Sequence, residues 1–212
     1  SHELRTPLTA ISGFASTMTH HWETLPDADK QRFVAIIEEQ SERLGRLVSD
    51  LLTLSHIESG RVRPVQSPVD LEPVVRRTLE HLGLTDIEVT CDPDIVVLVD
   101  EDHIEQILVN LLGNAMTHGA PPVGIEVRQD GARIDITVVD HGVGVPEEFV
   151  AELFTRFARG PQAGEQQRGG AGLGLSIVEG LAHAYGGRAS YAPNEPRGAR
   201  FSVRLPAVPA VS

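Results

Sequence analysis

The chain has 212 residues, a formal net charge of −12 and a 41% share of hydrophobic residues, enough for one ordinary globular domain or two small ones. The acidic balance disfavours non-specific nucleic-acid binding, so no nucleic-acid partner is expected. No apolar run is long enough to cross a bilayer, no signal-peptide pattern is visible, and the single cysteine, Cys91, excludes an internal disulfide.

The chain opens on SHELRTPLTAISGF, already a patterned helix, which reads as a piece cut from something longer. Leu4, Leu8, Ile11, Ala15, Met18 and Trp22 recur at alternating steps of four and three, the spacing of a bundle seam. At about 100° per residue, Thr6, Thr9 and Gly13 fall within roughly 40° of His2, on the opposite, polar side. His2 is therefore expected on a solvent-facing strip. Glu3 stands beside it, where a carboxylate can fix the imidazole tautomer and raise its nucleophilicity. Pro7 follows just past the first turn and loosens the backbone there.

LPDADK (25–30) breaks this helix from a second one, with Pro26 and Asp27 or Asp29 placed to start it. Phe33, Ile37, Leu44, Leu47, Leu51 and Leu54 repeat the seam spacing, and Val34, Ile36, Val48 and Leu52 add apolar residues off it. Two helices bury little alone, so residues 1–60 are expected to be an α hairpin, half of a four-helix bundle completed by a second copy. RVRPVQSPVD (61–70) reads as a linker, since Pro64 and Pro68 oppose helix.

Beyond it the pattern changes to an α+β domain, residues 71–208, in which helices layer on a mixed sheet as a two-layer sandwich. IEVTCD, VVLVD, VGIEVRQD and ARIDITVVD read as strands, QDGARI as a hairpin turn, and RASYAP and ARFSVRLP as strands closing the sheet. Helices are predicted over 71–82, 101–118, 147–154 and 174–185.

Three motifs in this domain point to a nucleotide. NLLGNA (110–115) sets Asn110 and Asn114 on one helix face; amide oxygens can bind Mg²⁺ and amide nitrogens can donate to phosphate. DHGVGVP (140–146) ends a strand on Asp140, a carboxylate able to accept from an exocyclic amine such as adenine's. Gly142 and Gly144 let backbone approach a flat ring. GGAGLGLSIV (169–178) places Gly170, Gly172 and Gly174 before an apolar helix, where free amides face an anion. It lacks GK[ST], and no strand runs directly into it, so it is neither a Walker A loop nor a dinucleotide fingerprint. Between the glycine motifs, Phe154 and Phe157 are candidate anchors of a loop whose Gly/Gln-rich continuation reads as a lid.

Taken together and in this order, the motifs resemble those of the bacterial sensor histidine kinases over nearly the full chain. SHELRTPL is similar to that family's phosphoacceptor box, and NLLGNA, DHGVGVP, LFTRF and GGAGLGL to its N, G1, F and G2 boxes. The resemblance implies a transmitter core: a dimerisation and phosphotransfer hairpin, then an ATP-binding domain shared with gyrase-type ATPases and heat-shock chaperones. It implies that His2 accepts the γ-phosphoryl group of ATP with Glu3 as base or orienting partner, and that Thr6, in the E-x-x-T pattern, positions water for phosphatase chemistry. Asn110 would hold Mg²⁺, Asn114 would contact the phosphates, His118 would belong to the ATP site, and Asp140 would read the adenine amine, with Gly142 and Gly144 beneath the ring. Gly170, Gly172, Gly174 and Leu175 would form the cradle, with Phe157, Arg156 and Arg159 from the lid. The implied partners are a response regulator receiver domain and a second copy of the chain. The implied location is the cytoplasmic portion of a bacterial sensor whose membrane segments lie upstream.

The sequence departs from the family at Thr117 and His118, where a basic residue followed by an aromatic one is usual; at His103, usually arginine; and at Ala199, often threonine. Lys30 is the only lysine, so Arg156, Arg159 or Arg168 is left to supply charge near the phosphates. Two other readings stay open on sequence alone: a degenerate kinase serving as a dimeric scaffold, and a gyrase-type or chaperone-type ATPase.

Overall fold

The computed structural model describes residues 2–59, 67–158, 160 and 171–207, and the chain divides into two units, Ser1–Ser55 and His56–Ser212. Among the described residues no helix is long and apolar enough to cross a membrane.

The first unit is the expected hairpin, built from α1 (His2–His21) and α2 (Asp27–Glu58). Asp27 and Asp29 lie in the first turn of α2, where carboxylates complement the free amides. Lys30 bonds Asp27 at 2.9 Å and stands over the Trp22 ring, closing the turn. The inward-facing line of α1 differs from the seam read in the sequence. Pro7 is buried, and Phe14 packs on Phe33 with ring centroids 5.0 Å apart. Leu8 and Trp22 are more than half exposed, and Ala15 is exposed as well. The reason is geometric: one partner helix covers only part of the broad apolar arc of α1, and the rest stays open. On α2, Val34, Val48 and Leu52 are exposed in the same way. Asp50 sits partly buried on α2, and burial pushes its carboxyl above the usual range, against a smaller opposite pull from Arg46.

The second unit starts earlier than expected. Residues 67–70, read in the sequence as linker, form β1 (Ser67–Asp70), antiparallel to β3 (Val96–Val99). Pro68 opposes helix but is tolerated in so short a two-stranded ribbon, which has no central strand. The chain then runs through α3 (Leu71–His81), β2 (Ile87–Cys91), β3, α4 (Glu101–His118), β4 (Val123–Asp130), β5 (Arg133–Val139), α5 (Glu147–Val150), α6 (Gly174–Ala184), β6 (Arg188–Pro193) and β7 (Ala199–Pro206). The helix predicted over 147–154 shortens to the single turn of α5.

The main sheet has the order β2-β4-β5-β7-β6 and is mixed: β2 pairs parallel with β4, and the other pairs are antiparallel. β4 and β5 are joined through Gly131 and Ala132, with Gly131 at φ +60°, the conformation that a tight hairpin needs. One face of the sheet carries Ile125, Val127, Ile136, Val138, Phe201 and Val203, buried with Ile107, Leu108 and Leu111 of α4 and Ile177, Val178 and Leu181 of α6. The other face is polar, and the register pairs its residues across strands. Arg204 makes a two-pronged bond to Asp135, and Thr137 bonds Ser202 at 2.8 Å.

Asp70 caps α3 by accepting from Glu72 N–H, and Asp100 caps α4 by accepting from Asp102 N–H. Tyr185, at the end of α6, accepts from Asp100 N–H at 2.9 Å and lies 2.7 Å from His103 Nδ1. Burial pushes the tyrosine pKa above its ordinary value. This clamp fixes the start of α4 against the end of α6, the two helices that flank the nucleotide motifs.

Candidate functional site

α4 is the axis of the site. Its buried stripe, Ile104, Ile107, Leu108, Leu111, Leu112 and Ala115, turns Asn110 and Asn114 to the edge of the core, where both are half-buried. Asn110 Nδ2 donates to Gln106 O at 3.0 Å. That bond orients the amide and leaves Oδ1 as the outward acceptor. Oδ1 points at the start of α6: a Cβ on Gly174 would stand 2.8 Å from it. Only glycine brings the two elements this close.

The end of α4 meets the other glycine motif. Gly119, its C-cap, lies so near Asp140 that a Cβ would come 2.6 Å from Asp140 Cγ, and a Cβ on Gly142 would come 2.8 Å from Gly119 Cα. Asp140 is 4% exposed, and its Oδ1 accepts from Gly142 N–H at 2.8 Å. The turn just beyond is built on Gly144, at φ +75°, which packs against the backbone of Gly198. The helix that carries the first of the three motifs, with its C-cap, thus contacts the other two.

The segment expected to act as a lid lies mostly outside the described residues, and the described residues on either side of it are in contact. Phe157 N–H donates to Gly172 O at 2.9 Å. Gly172, at φ +71°, lies so close that a Cβ would meet Ala158 O at 2.6 Å. The expected aromatic anchors need correcting: Leu153 is the buried residue of this segment, whereas Phe157 is 49% exposed and Phe154 is half-buried. Ala171 and Leu173 are buried beside them. Leu175 is half-buried on the first turn of α6, and Arg156 and His118 are exposed. Arg159, Arg168 and Gly170 lie outside the described residues.

In the hairpin, the backbone of His2 and Glu3 forms the first turn of α1, and their side chains lie outside the described part of the structure. Thr6, Thr9 and Gly13 are exposed on α1, as the helical wheel requires. Among the described residues no group of three or more His, Cys, Asp or Glu side chains is arranged to hold a metal. Asn110 Oδ1 is an oxygen of the kind that a hard cation takes together with ligand phosphates and water.

Gly119, Asn194, Arg197 and Gly198 escaped the sequence reading. All lie against Asp140 or its neighbour: Asn194 Nδ2 donates to Asp140 O, Arg197 Nε donates to His141 O, and a Cβ on Gly198 would overlap Asp140 O. Gly198 and Gly119 were visible as glycines beside motifs. The contacts of Asn194 and Arg197 left no local signal.

Comparison with known proteins agrees with this geometry. Residues 1–60 match the His Kinase A (phospho-acceptor) domain, and residues 99–209 match the Histidine kinase-, DNA gyrase B-, and HSP90-like ATPase family. The chain is 35% identical to the probable sensor histidine kinase TcrY of Mycobacterium tuberculosis over 97% of its own length and 44% of that protein. It is 34% identical to the circadian input-output histidine kinase CikA of Synechococcus elongatus over 97% of its own length and 29% of that protein. It thus spans less than half of either relative. Among solved structures, the Acinetobacter baumannii histidine kinase AdeS superposes with a TM-score of 0.75 at 25% identity, covering 97% of this chain and 98% of that one. Full-length ShkA in complex with AMPPNP superposes with a TM-score of 0.70 at 29% identity, covering 100% of this chain and 45% of that one. The chain belongs to the bacterial two-component histidine kinases, as a transmitter core in which a His Kinase A domain precedes a histidine-kinase-type ATPase domain.

Proposed function

We propose that this chain autophosphorylates on His2 with ATP and passes the phosphoryl group to an aspartate of a response regulator. The observation that carries the reading is the double contact of α4: Asn110 Oδ1 meets the start of α6, and Gly119 meets Asp140. A nucleotide laid along α4 has a buried carboxylate for its adenine amine at one end. At the other end it has a hard oxygen and the free amides of a helix start. The solved complex of the similar kinase ShkA with AMPPNP supports a nucleotide in such a domain.

In the proposed reaction a ring nitrogen of neutral His2 attacks the γ-phosphorus in line. The bond to the β–γ bridging oxygen breaks, ADP leaves, and the proton displaced from the imidazole passes to Glu3. Asp140 fixes the base, Asn114 and the G2 glycines fix the phosphates, and most of the rate comes from positioning. Asn110 would hold Mg²⁺, which would supply charge neutralisation at the phosphates. The cation missing at Thr117 is supplied by Arg156, Arg159 or Arg168. The phosphoramidate then gives its phosphoryl group to the receiver aspartate. Thr6 orients water for the reverse duty, hydrolysis of the resulting acyl phosphate.

The exposed residues Leu8, Trp22, Val34, Val48 and Leu52 favour a second copy of the hairpin as partner, giving the four-helix bundle of a homodimer. We place the chain in the cytoplasmic part of a membrane-anchored sensor. The test is label incorporation from γ-labelled ATP by wild type, His2→Gln and Asp140→Asn. His2→Gln is expected to lose all label while still binding ATP. Asp140→Asn is expected to lose label because it binds ATP poorly. Equal labelling of the wild type and both variants would overturn the assignment.

A further inference from the structure

We infer that Asn194 and Arg197, in the turn between β6 and β7, are positioning residues that make Asp140 selective for an adenine amine. The inference rests on the proposed adenine role of Asp140.

β5 leaves the sheet at this carboxylate. Asp140 N–H still donates to Ala199 O at 2.9 Å, as a last rung of the ladder. Beyond that point the backbone carbonyls of Asp140 and His141 have no strand to pair with. Side chains of one turn take them instead: Asn194 Nδ2 donates to Asp140 O at 3.0 Å, and Arg197 Nε donates to His141 O at 3.2 Å.

Each of these bonds is one half of a pair that pins a peptide plane. The plane between Asp140 and His141 is held at its oxygen by Asn194 and at its N–H by Ala120 O, 2.9 Å away. The plane between His141 and Gly142 is held at its oxygen by Arg197. Its N–H belongs to Gly142, the group that binds Asp140 Oδ1 at 2.8 Å. Two peptide planes fixed at both ends determine where the carboxylate points. Hydrogen-bond acceptance weakens steeply with angle, so direction decides whether the second oxygen meets an amine. The turn is itself closed by Asn194 N–H donating to Gly198 O at 3.1 Å. Arg197 is exposed and Asn194 half-buried, so water can replace either donor. Removing one leaves the carbonyl solvated and the fold intact, but frees the plane.

The experiment compares binding of Mg-ATP and Mg-GTP by the full chain, with the thermal midpoint measured in parallel. The variants are Asn194→Ala, Asn194→Asp, Arg197→Ala and Asp140→Asn. Asn194→Asp keeps the size, removes the donor and sets a carboxylate against Asp140 O. ATP affinity is expected to fall about fivefold in Asn194→Ala, the worth of one net hydrogen bond, and further in Asn194→Asp. GTP affinity and the thermal midpoint are expected to hold. Arg197→Ala repeats the test on an exposed side chain, whatever the effect of position 194 on folding. An unchanged ATP-to-GTP ratio in the Asn194 and Arg197 variants, with the ratio collapsed in Asp140→Asn, overturns the inference alone. Equal weakening of both nucleotides with a lower midpoint also overturns it, because the turn is then only structural. A ratio unaltered by Asp140→Asn removes the adenine role of Asp140 and the inference with it.

Discussion

Gly119→Ala tests the join between α4 and the adenine end of the site. The backbone at Gly119 has φ −87°, which alanine adopts freely, so any effect is steric. The new Cβ would stand 2.6 Å from Asp140 Cγ and 2.5 Å from Ala115 O, where ordinary contact begins at 3.4 Å. Both neighbours must therefore give way: the last turn of α4 at Ala115 O, and the Asp140 side chain, whose Cγ must retreat by about 0.8 Å. Asp140 is buried, and moving it stretches its bond to Gly142 N–H. An amine bonded at about 2.9 Å would be left near 3.7 Å, too far for a hydrogen bond. Losing a bond to a charged acceptor costs about 1.5–3 kcal/mol, or roughly tenfold to 150-fold in ATP affinity. Overpacking adds about 1–3 kcal/mol of lost stability. Calorimetric titration with Mg-ATP, alongside thermal unfolding, measures both. ATP affinity within twofold of wild type would refute the reasoning, since Asp140 would then tolerate displacement.

At the hairpin, Thr6→Ala is expected to keep autophosphorylation while slowing hydrolysis of the phospho-regulator about tenfold, equivalent to about 1.4 kcal/mol of positioning; decay of phospho-regulator with ADP present measures it. Thr117→Lys, at an exposed position in the last turn of α4, restores a cation usual in the family and should raise ATP affinity several-fold, to an extent that falls with added salt. A titration showing no gain would mean that the phosphates are neutralised elsewhere. Asp50→Asn should raise the thermal midpoint at pH 7. Its folded carboxyl has a raised pKa, chiefly through burial, so the ionised form is penalised above that value and unpenalised below the ordinary carboxylate pKa. The gain should disappear as the pH is lowered through the carboxylate range, and a gain persisting in acid would assign the effect to something other than charge.

The helices and most strands were legible because their signals are local: period 3.6 in α3 and α4, near-alternation in β4 and β7, and a glycine turn at Gly131. The nucleotide motifs were legible for the same reason, each being a short run of residues. What escaped reading is tertiary. β1 is four residues long and contains Pro68, and pairing with β3 makes it a strand despite weak local preference. Phe14 fits the alternating three-and-four spacing between Ile11 and Met18 as well as Ala15 does, and only the packing against Phe33 across the hairpin decides between them. Asn194 and Arg197 reach Asp140 and His141 across 54 and 56 residues of chain, a distance that no local pattern spans.

The most direct measurement of the central claim is the chemistry and location of phosphate on the chain after incubation with Mg-ATP. Phosphate that is labile in acid, stable in base and carried by the peptide containing His2 is the expected result. Steady ATP hydrolysis without phosphoprotein would instead make this an ATPase of the gyrase or chaperone type, and acid-stable phosphate or phosphate on another residue would contradict the assignment of His2.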